Sequence, residues 1–538
     1  MRHALRIAQN PLPMVLVAAA ALTLALGAGL RQDAFFSGDA GVKLIAAQNA
    51  AAHPQRPFEI DVPVIDGAVF PFVDRFMQLH GDHMHALQSD LFPVLASPLI
   101  AWMGVRGAYI IPAISFLALI VVVERLRVRA APDAPAGAVA MTALLATPLF
   151  FYAFEFWEHV PAALVCGIAM LLAWRGTQMA SIGAGLLFGL AMLLRPEALV
   201  LAAAVMVFAP VSLRLRALMA AGLMVVAGAG ALINYAHFGR VVGPHASANL
   251  AGWTAGWWTS HLARGVLWFA PHSAVEWIGA AAIAASWGIR RHAGERTAQL
   301  LGLAGVILIG VAAALRMMPR ESLWQAWPAG ALVFVPHRSA GAAQLRALGF
   351  TTAAAILLAS THDGGAQWGP RFLFVAAPIM ILLTGAAAGD MARRSGPWPR
   401  LRALLVAVVF LASAAVSRAA YRELDSAKEN YGTIVDLVRA TAAPGEIVVS
   451  DVWWFAQITA ADYRRHTTLV SDGPEEPERI AAALEAHRIQ GFVLAESREQ
   501  GPPRARALGC YEPLHSTAVP VRGIVLTRYG AATCAAAR

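Results

Sequence analysis

Acids, arginines and a histidine stand at the ends of the long apolar stretches of this chain, where a membrane protein rarely places charge. Charged side chains at membrane depth are costly and are usually retained for function. Carboxylates can act there as general bases or metal ligands, and arginines can bind phosphate. The pattern predicts chemistry at one face of a membrane on an anionic, lipid-linked substrate. The candidate residues are Asp39, Glu155, Glu158, His159, Arg195, Glu197, His362, Asp363 and Arg371.

Asp39 comes directly after the first apolar stretch, and an apolar run with Val42, Leu44 and Ile45 follows it. One interpretation is an N-cap, in which Ser37 or Asp39 accepts hydrogen bonds from the free amides of a short interfacial helix. The other is a catalytic carboxylate at the membrane surface, which acts as a general base or a metal ligand. The residue types leave both interpretations open.

Glu155, Glu158 and His159 lie in a short segment between two apolar stretches. On a helix, a spacing of i, i+3 and i+4 would place all three on one face. Carboxylates with an imidazole suit a divalent cation, so the segment predicts metal or acceptor contacts. The alternative is an interfacial belt anchored by the neighbouring aromatic side chains.

Arg195 and Glu197 flank Pro196 between two apolar runs, 182–194 and 197–210, that are each too short for a full span. Proline lacks the backbone donor and clashes with the preceding turn, so we expect a helical hairpin broken at this point. Arg195 and Glu197 then either pair with each other to hold the hairpin, or Arg195 binds phosphate through its planar guanidinium group.

A glycine-rich loop runs from Asp363 to Arg371, and His362 precedes it. One interpretation is a flexible turn whose arginine reaches to the membrane surface. The other is a second phosphate or pyrophosphate contact that enters from the outer face.

The elements that must position these residues are membrane spans. The chain has 538 residues, of which 58% are hydrophobic and 14% charged, a composition outside the range of soluble domains. We predict about 11–13 membrane segments, some of them shorter than a straight span needs. The candidate runs are 12–30, 93–123, 136–150, 160–174, 182–194, 197–210, 217–235, 263–288, 297–315, 323–336, 346–360, 371–389 and 401–418.

The net charge of +9 is unevenly distributed along the chain. Residues 420–538 carry 13 Lys+Arg and 15 Asp+Glu, so residues 1–419 carry +11, mostly as arginines in short loops. With the hairpin at Arg195 and Pro196, these loops fall on one side of the membrane together with the N-terminus, as the positive-inside rule requires. The charge is thus explained by topology, and nucleic acid is not indicated as a partner. We predict a cytoplasmic N-terminus and an outer, periplasmic C-terminal region.

Two larger pieces lie on the outer side. The first loop, 31–92, holds four basic and eight acidic residues, and 420–538 is soluble in composition. The segments 445–451 and 491–495 read as short buried strands and 476–488 as an amphipathic helix between them, which indicates a small α/β domain. We therefore predict a transmembrane domain, 1–419, which includes the loop 31–92, followed by an α/β domain, 420–538.

The order of these features resembles the GT-C superfamily of integral membrane glycosyltransferases, which includes protein O-mannosyltransferases and lipid A aminoarabinose transferases. The shared features are the acid after the first span, the long outer loop, the segment from Thr147 to Pro161, the segment from Gly185 to Glu197, and the segment from Trp368 to Phe372. Many members carry two adjacent acids after the first span, whereas Asp39 stands between Gly38 and Ala40.

The resemblance implies a sugar donor linked to polyprenyl phosphate and transfer of its hexose or pentose, at the outer face of the inner membrane, to a lipid, glycan or protein. Asp39 would deprotonate or orient the acceptor hydroxyl. Arg195 and Arg371 would stabilise the departing phosphate. Some members use a divalent cation, such as Mg, Mn or Ca. The alternative function is a secondary transporter or a flippase for lipid-linked sugars, which also needs broken helices and buried charge.

Overall fold

A computed structural model describes residues 11–65, 68–70, 76–80, 83–87, 91–244, 246–247, 257–337, 341–360, 364–365, 367–393, 398–471, 476–497, 508–518 and 521–531. The chain forms two compact units. The first unit consists of Met1–Gly29 and Ile111–Glu423, and the second of Leu30–Ile110 and Leu424–Arg538.

Helices make up most of the structure. In chain order they are α1 Leu12–Gly29, α2 Gly38–Ala52, α3 Leu91–Met103, α4 Ile110–Ala130, α5 Ala138–Leu145, α6 Leu149–Tyr152, α7 His159–Ala173, α8 Gln178–Leu194, α9 Ala198–Phe208, α10 Leu213–Phe238, α11 Trp257–Phe269, α12 Ala274–Ala314, α13 Leu323–Ala326, α14 Ala342–Ala359, α15 Ala377–Arg393, α16 Pro399–Thr441, α17 Phe455–Ile458 and α18 Glu476–Ala486. Four short 3-10 helices lie at Gly104–Tyr109, Pro328–Phe334, Arg371–Ala376 and Ala460–Asp462.

The strands belong to the second unit. They are β1 Ile60–Asp61, β2 Val64–Ile65, β3 Ala68–Val69, β4 Met77–His80, β5 His83–Ala86, β6 Ile447–Ser450, β7 Thr467–Val470, β8 Gly491–Ser497, β9 Glu512–Ala518 and β10 Ile524–Gly530.

Long apolar helices make this a multi-pass membrane protein. Among the described residues, seven helical segments are long and apolar enough to cross a membrane, and three shorter apolar helices, α7, α8 and α9, accompany them. The predicted polytopic helical fold is thereby confirmed. The two arms of the predicted hairpin, α8 and α9, are among these shorter helices, as expected from the short apolar runs in the sequence.

The hairpin at Arg195 and Pro196 is present in the first unit. Helix α8 ends at Leu194, Arg195 is extended with φ −145° and ψ 113°, and α9 begins at Ala198 after Glu197 in the N-cap position. Helices α8 and α10 lie close together because glycines face each other: a Cβ on Gly185 would lie 1.9 Å from the carbonyl oxygen of Met219. Small residues allow such close approach of helices in membranes.

Several predicted spans are interrupted in the structure. The run 93–123 is divided among α3, a 3-10 helix and α4, and the run 136–150 is divided between α5 and α6. The run 263–288 is split between α11 and α12, because Ser273 and Glu276 form a capping box that starts α12. The run 323–336 forms only the four-residue helix α13 and a 3-10 helix, because Pro328 stands where the helix would continue.

The second unit contains a five-stranded sheet in the order β7-β6-β8-β10-β9. Strand β6 pairs in parallel with β7 and β8, whereas β10 pairs antiparallel with β8 and β9. The predicted strands 445–451 and 491–495 correspond to β6 and β8, and the predicted helix 476–488 to α18. The described part of the loop 31–92 adds a three-stranded sheet, β1-β5-β4, and the pair β2-β3.

The loop 31–92 shares a core with the five-stranded sheet. Ile65 and Phe70 from the loop pack with Val449, Leu469 and Leu494 from the sheet, all of them buried. The structure therefore groups residues 31–92 with the C-terminal region, whereas the sequence-based division placed them with the spans. One boundary between the two units falls after Glu423.

Candidate functional site

Arg195 lies at the centre of a buried ion-pair cluster in the first unit. Its Nη1 donates a hydrogen bond to Glu158 Oε1 at 3.0 Å, while its Nη2 and Nε donate to the two carboxylate oxygens of Glu197 at 2.7 and 3.1 Å. The side chain of Arg195 is 7% exposed and that of Glu158 is 3% exposed. The predicted pairing of Arg195 with Glu197 is present, and Glu158 joins it. One cation facing two carboxylates leaves this cluster with a net charge of −1.

Phe372 brings the second predicted arginine to the same place. The Arg195 guanidinium carbon lies 5.3 Å from the centre of the Phe372 ring, and that of Arg371 lies 5.8 Å from it. Arg371 also lies 5.3 Å from the centre of the Trp157 ring. These distances are typical of cation–π contacts, which favour the charged guanidinium. The two arginines that the sequence proposed as phosphate contacts thus lie against the same aromatic ring.

Aromatic side chains pack two segments of the site against each other. Tyr152 lies 5.2 Å from Trp157 and 4.9 Å from His159, ring centre to ring centre, and Phe151 stacks on Trp368 at 6.3 Å. All of these side chains are buried. The segment around residues 151–159 and the segment that begins at Trp368 therefore form one packed body.

The predicted helical face of Glu155, Glu158 and His159 is wrong. Helix α6 ends at Tyr152, Glu155 lies in a bend, and His159 is the first residue of α7 with Glu158 as its N-cap. Residues 153–158, between the end of α6 and the start of α7, are not helical. All three side chains are nevertheless buried, with exposures of 0%, 2% and 2%.

The residues present do not fit a divalent-cation site. One oxygen of Glu158 is engaged by Arg195, and among the residues that the structure describes no three His, Cys, Asp or Glu side chains form a group that could hold a metal ion. Cation sites of this kind require several oxygen or nitrogen ligands around one point. We therefore derive no reaction step through a metal.

His362 and Asp363 lie outside the described residues. In the described part of their loop, Gly369 has a φ of 72°, and a Cβ there would lie 2.6 Å from the Cβ of Ala326. Glycine is needed at this position both for its backbone conformation and for space.

Asp39 belongs to the second unit and lies in the first turn of α2, where it is partly buried. An acid in the first turn is favoured by the helix dipole. Ser37 occupies the N-cap position, but its side chain makes no capping hydrogen bond. The N-cap function that the sequence allowed for Ser37 is therefore not used.

Close packing surrounds Asp39 with small residues. A Cβ on Gly41 would lie 1.7 Å from the backbone oxygen of Gln457, and one on Gly38 would lie 1.6 Å from the Gln457 side-chain oxygen. Ala40 is fully buried. This packing gives a physical reason why Asp39 has no acidic neighbour.

A charge network fixes the chain just before Asp39. The Asp33 carboxylate accepts hydrogen bonds from Arg31 Nε at 2.7 Å and from Arg439 Nη1 at 2.5 Å, and both arginines also bind further acids, Asp436 and Asp462. Burial acts to raise the pKa of Asp33, but the hydrogen bonds from Arg31 and Arg439 outweigh it and hold the pKa below its usual value.

Two buried polar residues were missed by the sequence analysis. His261 and Arg264 on α11 are 4% and 5% exposed. They share a helical face with Trp268, whose ring centre lies 6.0 Å from that of Phe372. Arg264 follows His261 by three residues and Trp268 follows it by seven, which is the spacing of one helical face. This signal was overlooked because the sequence of α11 and α12 was interpreted as one span.

Comparison with solved structures identifies the fold. The chain is similar to ArnT from Cupriavidus metallidurans in the apo state, with 12% sequence identity, a TM-score of 0.51, and coverage of 95% of this chain and 97% of that one. The same protein bound to undecaprenyl phosphate gives 13% identity, the same coverage and a TM-score of 0.49. The apo oligosaccharyltransferase from Archaeoglobus fulgidus gives 12% identity, a TM-score of 0.49, and coverage of 91% of this chain and 70% of that one.

The sequence matches no protein-family model, and no curated protein matches it with statistical significance. The likeness to apo ArnT over nearly the full length of both chains confirms the predicted GT-C fold. At 12% identity it establishes the fold alone, and the chemistry must be argued from the residues.

Proposed function

We propose, from the GT-C fold of this chain, that it is a membrane glycosyltransferase that moves a hexose or pentose from a polyprenyl-phosphate donor to a lipid, glycan or protein acceptor at the outer face of the inner membrane. The observation that carries the proposal is that Arg195 and Arg371 both lie against the Phe372 ring. Two guanidinium groups near the ends of membrane helices suit a phosphate that is attached to a lipid tail.

The proposed reaction is an inverting transfer with Asp39 as base. The Asp39 carboxylate takes the proton of the acceptor hydroxyl, whose oxygen forms a bond to the anomeric carbon of the sugar. The bond from that carbon to the phosphate oxygen breaks, and polyprenyl phosphate leaves with the bonding electron pair. Arg195 and Arg371 would stabilise the negative charge that the phosphate gains.

The two arginines differ in how much charge they can offer the phosphate. Three of the five N–H groups of Arg195 already bind Glu158 and Glu197, and these two carboxylates offset its charge. Arg371 lies against the rings of Trp157 and Phe372. We therefore assign a supporting phosphate contact to Arg195 and propose Arg371 as the second phosphate contact.

The location at the outer face has one further support. Cys510, in the second unit, takes part in a disulfide. Structural disulfides form and persist in oxidising compartments such as the periplasm and are rare in the cytosol. This favours a C-terminal region outside the cytoplasm, with the N-terminus inside.

The test is an assay of the purified protein with a panel of polyprenyl-phosphate-linked sugars and an envelope lipid extract as acceptor. Wild type should consume one donor and release polyprenyl phosphate. Asp39→Asn should lower kcat by roughly 10²–10⁴-fold, the usual contribution of a general base. The matched control is Asp425→Asn, a partly buried aspartate of the same unit, which should retain wild-type turnover.

Arg371→Gln should lower kcat/KM for the donor, and Arg371→Lys should recover part of it because lysine keeps the charge without the bidentate geometry. If wild type binds the donor but releases no polyprenyl phosphate with any acceptor, the transferase proposal fails. Movement of the intact lipid-linked sugar across a vesicle membrane would then favour the flippase alternative.

A further inference from the structure

The hydroxyl of Tyr152 bonds both polar groups of a single residue. It donates a hydrogen bond to the carbonyl oxygen of Trp368 at 3.1 Å and accepts one from the backbone N–H of Trp368 at 3.2 Å. Tyr152 and Trp368 are both buried, with exposures of 0% and 2%. One side chain on α6 thereby satisfies the backbone of a loop residue 216 positions further along the chain.

We propose that Tyr152 is a positioning residue that holds the loop of Arg371 in its phosphate-binding conformation. The inference rests on the proposed function, since it assigns a role at the same phosphate contact. Trp368 precedes Arg371 by three residues, and the 3-10 helix Arg371–Ala376 begins at the arginine itself. Fixing the Trp368 backbone therefore fixes where Arg371 leaves the loop.

The next residue of the loop is held from another direction. The backbone N–H of Gly369 donates to the carbonyl oxygen of Arg320 at 2.7 Å. Three backbone groups of two successive residues are thus bonded to groups outside the loop. Of these contacts, only the Tyr152 hydroxyl belongs to a side chain, and so only it can be removed by a conservative substitution.

The ring of Tyr152 also packs against the aromatic surface on which Arg371 lies. Its ring lies 5.2 Å from that of Trp157, on which the Arg371 guanidinium rests. The tyrosine therefore holds the loop backbone through its hydroxyl and the aromatic surface beneath the guanidinium through its ring.

The variant Tyr152→Phe separates these two contributions, because it keeps the ring and removes both hydrogen bonds. Each lost bond in a buried site weakens positioning by a modest amount. We expect the KM for the polyprenyl-phosphate sugar to rise about 3- to 10-fold, with kcat within about 2-fold of wild type. A variant that is merely less stable would lower the active fraction, and hence kcat, without changing KM.

The matched control is Tyr421→Phe. The Tyr421 hydroxyl donates to the carbonyl oxygen of Leu26 at 3.0 Å in the same unit, and this bond involves no residue of the Arg371 loop. Tyr421→Phe should leave the donor KM unchanged. If it raised KM as much as Tyr152→Phe does, the effect would reflect general loosening of the unit and the inference would be overturned.

A double-mutant cycle ties the effect to Arg371. In the Arg371→Gln background, Tyr152→Phe should raise the donor KM by less than about 1.5-fold, because there is no guanidinium left to position. Equal fold-changes in both backgrounds would show that Tyr152 acts independently of Arg371. A wild type that transfers sugar normally while Tyr152→Phe has the wild-type KM overturns this inference alone. A wild type that transfers no sugar overturns the proposed function instead.

Discussion

At the scale of single residues, the site is dominated by the difference between its two arginines. Arg195 is enclosed by carboxylates, whereas Arg371 rests on aromatic rings. A buried ion pair is weak evidence for stability, but removing one partner leaves uncompensated charge and is strongly destabilising. The guanidinium of Arg195 therefore holds the hairpin tip together, whatever further contact it makes with substrate.

This difference predicts unequal effects on stability. Arg195→Gln would leave Glu158 and Glu197 as neighbouring buried carboxylates and should destabilise the protein by about 3–5 kcal/mol. Arg371→Gln loses the cation–π contacts with Trp157 and Phe372, which are worth about 0.5–2 kcal/mol, and should cost less than Arg195→Gln. Thermal unfolding of both variants in detergent, followed by tryptophan fluorescence, measures the contrast. Equal losses of Tm would contradict the assigned role of Arg195.

At the scale of elements, the position of Asp39 depends on how closely α2 approaches α17. The Cβ that alanine would add at position 41 lies 1.7 Å from a backbone oxygen of Gln457, and backbone cannot rotate away as a side chain can. The two helices must separate to admit it. Overpacking of this kind typically costs about 1–3 kcal/mol.

We therefore expect Gly41→Ala to lower both the Tm of the protein and its turnover, since the helix that carries Asp39 shifts. The control is Gly228→Ala in α10, where an added Cβ meets nothing within 4 Å. Alanine favours helices over glycine, so that variant should be neutral or slightly stabilising. Retention of full Tm and turnover by Gly41→Ala would show that α2 and α17 are not in tight contact.

The elements also show which features the sequence could predict. Hydropathy and Pro196 predicted the hairpin, and the apolar strands β6 and β8 were recognised because they are buried on both faces. Strand β9 was missed because six of its seven residues are exposed, which leaves no apolar pattern to detect. The contact of Arg195 with Glu158 was missed because it spans 37 residues and depends on tertiary packing.

At the scale of the whole molecule, the second unit draws on two distant parts of the chain, and charge helps to join them. Arg31 donates a hydrogen bond to Asp436, and Arg439 donates one to Asp33, each across more than 400 residues. Because the folded state holds the pKa of Asp33 below its usual value, the ionised carboxylate stabilises this unit.

The stability that the Asp33 carboxylate contributes depends on pH. The contribution is complete above the unfolded pKa of about 4 and is lost as pH falls through the lower folded pKa. Asp33→Asn should therefore lower the Tm at pH 7, and the difference from wild type should shrink as the pH is lowered toward 3. A constant difference across that range would contradict an electrostatic role for Asp33.

The proposed orientation of the molecule predicts which surfaces a membrane-impermeant thiol reagent can reach. Leu514→Cys, on the exposed strand β9, should be labelled in intact spheroplasts. Arg129→Cys, at the exposed end of α4 on the predicted cytoplasmic side, should be labelled only after the membrane is opened. The reverse pattern would invert the proposed topology and place the second unit in the cytoplasm.

The close fit of Gln457 against Gly38 also bears on how this site can change under mutation. A second acid at position 38 would collide with the side-chain oxygen of Gln457. Gln457 is only 2% exposed, which leaves its side chain little room to rotate away, so Gly38→Asp should be harmful by itself. Paired with Gln457→Ala, the same change should be tolerated, because the obstructing atoms are gone. Positions 38 and 457 are thus expected to be epistatic, and a two-acid version of this site lies at least two coordinated substitutions away.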